Sequence, residues 1–132
     1  HRALFGALER FFGIIVEHFA GAFPTWLAPI QVLFIPIGER HGEYAKKLSR
    51  ELEDLKIRSQ VDDRDEKVGY KIRQAQKEKI PYMIAIGDKE MEQGNISLRH
   101  REEGEMGSWD FQEFKEMLQE EIRLKLLKRA SE

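Results

Sequence analysis

Three short apolar runs, separated by two amphipathic helical patterns, constrain this chain more than any other feature. Ile30–Ile37 (IQVLFIPI) is an almost unbroken apolar run rich in branched residues, Ile57–Val61 is a second, shorter run, and Tyr82–Ile86 is a third. Between them, His41–Leu55 places Tyr44, Leu48, Leu52 and Leu55 on one helical face, and Lys67–Lys79 does the same with Val68, Ile72 and Ala75. A strand that is apolar on both sides needs cover on both faces. Strand–helix–strand–helix–strand order then calls for parallel pairing through right-handed crossovers. The pattern predicts an α/β fold: a mixed, mostly parallel sheet of four to five strands flanked by about three helices.

The remainder of the chain is less regular. Met91–Gly94 reads as a turn, and Asn95–Arg101 alternates Ile96 and Leu98 with Ser97 and Arg99, as a half-exposed edge strand does. Glu102–Gly107 reads as a polar loop. Ser108 or Asp110 is placed to cap a final helix whose buried stripe is Phe111, Phe114, Leu118 and Ile122. Lys125, Lys128 and Arg129 suit the negative end of that helix's dipole. At the other end, Glu9–Phe19 reads as a helix with Phe12, Ile15, Val16 and Phe19 at helical spacing, and with Phe11 and Ile14 widening the stripe. A helix apolar on several sides requires more partners than this chain can supply. Pro24 and Pro29 bound a short stiff linker, which divides the chain into 1–28 and 29–132.

Composition excludes several function classes. The chain has no cysteine, so it has neither a disulfide framework nor thiol chemistry. No apolar run reaches the ~18 residues that span a bilayer, and the first residues lack the order of a secretory signal. His1, His18, His41 and His100 share no metal-ligand spacing; His18 reads as structural and His41 as a surface residue. GERHGEY lacks the Gly-Lys-Ser/Thr of a phosphate loop. On these grounds the chain by itself is not an enzyme. Its net charge of −2 gives no basic field over the whole chain, yet from Arg64 to Arg101 nine lysines and arginines outnumber six acids. Nucleic acid, if bound, is held by a local patch.

The residues of that patch have the chemistry of base recognition. A guanine offers O6 and N7 to donors and its N1–H and amino group to an acceptor. An arginine fork matches the first pair, and a carboxylate matches the second. Glu90 and Arg99 supply these two groups; Arg99 and Arg101, two apart, face the same exposed side of their strand. Asp65, Lys67, Lys71, Arg73 and Gln74 sit at the start and on the polar side of the neighbouring helix, whose lysines are placed to hold phosphates. Spacing alone leaves other readings open. Glu90 and Arg99 can pair across a hairpin, Asp65 can be an N-cap, and Arg73 can pair with Glu78.

The segment DDRDEKVGYKIR, then IPYM, GDKE and LRHR, together with GALERFFG and PTWLAPIQV near the start, resembles the threonyl-tRNA synthetase family of class II aminoacyl-tRNA ligases. GALER followed by FFG resembles the third class II motif, and PTWLAPIQV resembles the linker into the C-terminal domain. The resemblance covers essentially the whole chain. It implies a class IIa anticodon-binding domain over 29–132, preceded over 1–28 by an apolar helix and linker from the end of a catalytic domain. Prolyl-, histidyl- and glycyl-tRNA synthetases carry related domains; the HRALFGALERF and PTWLAPIQV segments favour the threonyl enzymes.

Residue by residue, the resemblance implies anticodon contacts from Glu90, Arg99, Lys67, Arg73 and Asp65, directed at the guanine and uridine of the last two anticodon positions. Asp65 stands where the family has Asn, so it keeps an acceptor, loses a donor and adds negative charge. His1 matches a zinc ligand of the active site, Arg10 matches the arginine that contacts ATP phosphates, and Ala7 stands where many members have Ser. A catalytic zinc needs three protein ligands, so the resemblance implies an inactive piece, without cofactor, of an enzyme that joins threonine to its tRNA with ATP, Mg and Zn. Its implied partners are the tRNA anticodon loop, the catalytic domain of the same chain and a second copy in a homodimer, with no membrane and a cytoplasmic location. A reading from a different class is a stand-alone interaction or dimerisation module whose contact surface is the apolar segment His1–Phe23.

Overall fold

The structure is a computed structural model that describes residues 24–131, with side chains as far as Leu124. The apolar helix expected over Glu9–Phe19, and with it His1, Ala7, Arg10 and His18, lies outside the described residues.

Five strands form one sheet: β1 (Val32–Pro36), β2 (Ser59–Val61), β3 (Tyr82–Ile86), β4 (Asn95–His100) and β5 (Gly104–Asp110), in the order β2-β1-β3-β4-β5. Four α-helices accompany them: α1 (Gly42–Asp54), α2 (Val68–Lys77), α3 (Asp88–Gln93) and α4 (Phe111–Ser131). β1 pairs in parallel with β2 and β3, as the strand–helix–strand pattern requires. β3–β4 and β4–β5 are antiparallel. The sheet is therefore evenly mixed rather than mostly parallel.

The difference arises in the second half of the chain. Glu102–Gly107, expected as a loop, contributes most of β5, so β4 is an inner strand and β5 the edge. Period-2 alternation fails in β5 because Met106 is an extra residue: Leu98 pairs with Gly107 and Arg99 with Glu105. Such a bulge bends the strand and flips its side-chain parity. Gly104 and Gly107 stand at φ 77° and 84°, the left-handed region that a glycine enters without a Cβ penalty. The turn expected at Met91–Gly94 is the end of the short helix α3, closed by Gly94 at φ 71°.

The core lies mainly on one face of the sheet. Val32, Phe34, Tyr82, Ile84, Ile86, Ile96 and Leu98 point toward α1 and α4, which return Leu48, Leu52, Phe111, Phe114 and Leu118. Phe114 packs edge-to-face on Tyr82 with ring centres 5.5 Å apart. Asp110 caps α4, its carboxylate accepting the Glu113 N–H at 3.2 Å. On the opposite face, Leu33, Ile35 and Met83 meet Ala75 and Ile80, with Val68 and Ile72 at the border.

The linker is fastened to the sheet. Thr25–Leu27 forms one 3-10 turn. The buried side chain of Gln31 donates to the Thr25 carbonyl at 2.9 Å and accepts the Arg58 N–H at 2.8 Å. The Arg58 guanidinium donates to the carbonyls of Ala28 (2.9 Å) and Trp26 (3.1 Å).

Candidate nucleic-acid interface

The second face of the sheet is only half covered. α2 lies over β1 and β3, and beyond them β4 and β5 present Ser97, Arg99, Glu105 and Ser108, none of which is buried. Their placement follows from strand alternation: Ile96 and Leu98 are fully buried in the core, so Ser97 and Arg99 face the other way. Ile72 of α2, Met83 and Ala85 of β3, Ser97 and Arg99 of β4 and Glu105 of β5 line one shallow cleft.

Arg99 stands in this cleft, opposite Met83 on one side and Glu105 on the other. Arg73 follows the cleft-lining Ile72 on α2 and is exposed, with its guanidinium reaching back over Gly69 toward the start of the helix. A helical side chain slants toward the N-terminus, which explains that direction. Lys67 is the exposed N-cap residue of the same helix. Among the described residues, the side chains of Lys67, Arg73 and Arg99 make no hydrogen bond and no ion pair.

Glu90 lies on α3, beyond the C-terminal end of β3. Its Oε2 accepts the Gly87 N–H at 2.9 Å, and its other oxygen is left without a protein partner among the described residues. β1 feeds α1 on one face of the sheet while α2, which precedes β3, lies on the other. The ends of β1 and β3 are thus a topological switch point, where open α/β sheets place their ligands. Arg99 pairs with Met83, three residues before the last residue of β3. Arg99 therefore stands about 10 Å along the strand from the end of β3, and Glu90 lies beyond that end. Neither a Glu90–Arg99 nor an Arg73–Glu78 ion pair is present among the described residues.

Other expectations are corrected. Asp65 does not cap α2: it is exposed, two residues before the N-cap, and no side chain caps that helix end. Lys71, placed by periodicity on the polar side of α2, is buried, and its ammonium donates to the Asp62 carbonyl at 2.9 Å. Arg101 does not share the open face with Arg99. It folds back to donate to the Lys79 carbonyl at 2.8 Å, tying the end of β4 to the loop before β3. The Arg64 guanidinium, 2.8 Å from Asp62, holds the Asp62 carboxyl below its ordinary range.

His41, expected at the surface, is buried. Its Nδ1 accepts the Gly38 N–H at 2.9 Å, and its Nε2 lies 2.8 Å from Asp88 Oδ1. Because Nδ1 is an acceptor, the ring proton is on Nε2 and is donated to Asp88. Arg40 binds the other Asp88 oxygen, and the hydrogen bond from His41 is the main reason that the Asp88 carboxyl titrates below its usual range. A sequence signal for this cluster exists. β1 is followed by Ile37-Gly-Glu-Arg-His41, and β3 runs from Ile86 into Gly-Asp-Lys-Glu90. In each, the glycine N–H is bonded by the side chain three residues on.

Among the described residues no group of three His, Cys, Asp or Glu side chains is arranged to hold a metal ion, and no helix is long and apolar enough to cross a membrane.

Comparison with known proteins gives the family to which the fold belongs. Residues 31–121 match the family described as anticodon binding domain. Threonine–tRNA ligase of Caldanaerobacter subterraneus subsp. tengcongensis is 54% identical over 127 residues, covering 96% of this chain and 20% of that protein. The threonine–tRNA ligase of Thermotoga maritima is 54% identical over 132 residues, 100% of this chain and 21% of its own length. The chain thus spans about a fifth of the curated relatives it matches. The crystal structure of the RNA binding domain of threonyl-tRNA synthetase from Cryptosporidium parvum Iowa II superposes with a TM-score of 0.80 at 29% identity, over 85% of this chain and 28% of that one.

Proposed function

Because this chain belongs to the anticodon binding domain family, we propose that it selects tRNA for a threonine–tRNA ligase by reading the anticodon on the open half of its sheet. The observation that carries this reading is that Arg99 stands in the open cleft between α2 and β5 without a protein partner among the described residues, with Lys67 and Arg73 likewise unpartnered on the adjacent helix. Arg99 provides the fork for guanine O6 and N7, and Glu90 the acceptor for the guanine N–H groups. Lys67 and Arg73 hold phosphates and fix the register without reading sequence. Single-stranded RNA loops are the natural ligand, since their unstacked bases expose these edges. The uridine of the last anticodon position is the second base within reach, with Asp65 beside it as an acceptor only.

The ligase reaction itself belongs to a longer protein. In this reading residues 1–28 end its catalytic domain, Arg10 reaches ATP phosphates there, and His1 is one of the ligands of its zinc. A single imidazole does not make a zinc site, so in this reading the other groups that hold ATP, Mg and Zn come from parts of the enzyme beyond this chain. The parent works as a homodimer in the cytoplasm, and the domain 29–132 places the acceptor end of the tRNA by holding its anticodon end.

The test is binding of the chain to a threonine-tRNA anticodon stem-loop, and to the same hairpin with its middle guanine changed to adenine, at fixed salt. Tighter binding of the guanine hairpin, abolished by Arg99→Ala, supports base reading. Equal binding that falls steeply with salt reduces the interaction to phosphate attraction, and no binding at all favours a protein-docking module.

A further inference from the structure

The base-reading carboxylate sits on an element that the core does not hold. No residue of α3 is buried, and Met91, its one large apolar residue, is 38% exposed. Apart from its two ends, which run into β3 and β4, the helix is fixed by side-chain hydrogen bonds at its first turn. They make a relay from the segment after β1 to the start of α3, in which the last link, from Asp88 to the Gly87–Glu90 bond, is the backbone itself. The Gly38 N–H donates to His41 Nδ1 at 2.9 Å, His41 Nε2–H donates to Asp88 Oδ1 at 2.8 Å, and the Gly87 N–H donates to Glu90 Oε2 at 2.9 Å. The imidazole is the only member of the relay that is a fully buried side chain, so it is the fixed point from which the rest is measured.

We propose that His41 is a positioning residue for base selection: acting through Asp88, it sets where the Glu90 carboxylate stands relative to the RNA. This deepens the anticodon-reading assignment and rests on it. Three features favour this role over simple packing. The ring joins two segments that are 47 residues apart in sequence. Both of its nitrogens are committed, so its tautomer and orientation are fixed. Asp88, the residue that it holds, is itself half-exposed and has no packing role. Displacing α3 by a fraction of an ångström alters the geometry of Glu90 without removing any cation, so selectivity changes while phosphate attraction does not. Arg40 also binds Asp88, but its side chain is 71% exposed. An exposed ion pair of this kind contributes little, so it does not set the position.

The experiment measures Kd for the guanine and adenine hairpins, and the salt dependence of each, for the unmodified chain and four variants. His41→Phe keeps a buried ring and removes both hydrogen bonds; Asp88→Ala breaks the same relay from its exposed side, where folding is not at risk. Each is expected to lower the guanine preference by about tenfold, since a well-placed contact of this type discriminates by that order, with the slope of log K against log salt unchanged. Asp88→Asn, whose amide oxygen still accepts from His41, retains the preference, and so does Arg40→Ala. The proposal is overturned if His41→Phe and Asp88→Ala keep the full preference, or if both hairpins weaken in equal proportion. If the unmodified chain shows no guanine preference, the base-reading assignment fails and this inference falls with it; a preference that survives in Asp88→Ala removes this inference alone.

Discussion

Replacing Gln31 dissects the clamp that ties the linker to the sheet. Gln31 is 1% exposed and satisfies two backbone groups, the Thr25 carbonyl and the Arg58 N–H. Gln31→Met keeps the length of the side chain and leaves both groups unpaired. Each orphaned group costs about 1–3 kcal/mol, for a gross loss of ~2–6 kcal/mol, and this is offset by ~1–3 kcal/mol because an amide no longer has to be desolvated. The net expectation is a loss of about 1–3 kcal/mol, a fall in Tm on the order of 5–20 °C for a domain of this size. Gln31→Ala adds a cavity and loses roughly a further 1–2 kcal/mol. Gln31→Glu separates the two bonds: its carboxylate still accepts from Arg58 but faces the Thr25 carbonyl without a proton to donate. Burial favours the neutral carboxyl, so this variant gains stability relative to the unmodified chain as pH falls, when its O–H donates to Thr25. Urea unfolding at pH 7 and pH 5, with unchanged m-values, measures all three. A Gln31→Met variant within ~0.5 kcal/mol of the unmodified chain, or a Gln31→Glu variant that loses ground in acid, refutes the account.

Other expectations are simpler to state. Phe114→Ala empties a fully enclosed aromatic position, 0% exposed and packed edge-on against Tyr82, and should cost about 3–5 kcal/mol by chemical denaturation. Arg99→Lys keeps the charge and loses the fork; we expect the salt slope of hairpin binding to be retained while guanine preference drops by roughly 5- to 100-fold. The Asp62 carboxyl titrates below its ordinary value of 3.8 chiefly because of its hydrogen bond from Arg64. Its contribution to stability is complete above that value and is lost as pH falls through the lowered folded value. The Tm difference between the unmodified chain and Asp62→Asn should therefore close progressively below about pH 4 in a thermal melt series.

The parallel half of the sheet was legible because its signals are redundant: β1 and β3 are apolar on both faces, and α1 and α2 repeat at 3.6 residues. β5 was not, because its two left-handed glycines and the bulge at Met106 erase the alternation by which a strand is read. The short helix α3 was missed because nothing in it is buried, and periodicity reports burial. At the site, sequence located the basic residues and the carboxylate but not their partners. Lys67 and Lys71 are four residues apart and look equivalent on a helical wheel, yet one is free and the other is buried against the Asp62 carbonyl. His41 was misplaced for the same reason, since its partner Asp88 opens α3, 47 positions away. The assignments of Glu90 and Arg99 rested on resemblance as much as on chemistry; the geometry adds that Arg99 is unencumbered and that Glu90 is half committed to its own backbone.

β4 divides its residues between two obligations. Ile96 and Leu98 are walls of the core and cannot change without repacking Phe114 and Leu118. Ser97 and Arg99, the residues between them, answer only to whatever lies on the open face. Selection can therefore change what this strand presents on the open face while leaving untouched what it folds, and two such positions on one rigid backbone are spaced at a fixed interval that no loop could guarantee. A fold of this kind lends itself to diversification: under the proposed anticodon reading, a new base preference requires changes at the odd-numbered positions of one strand and in the facing residues of β5. An engineer seeking to redirect the specificity of this domain has the same short address to work from.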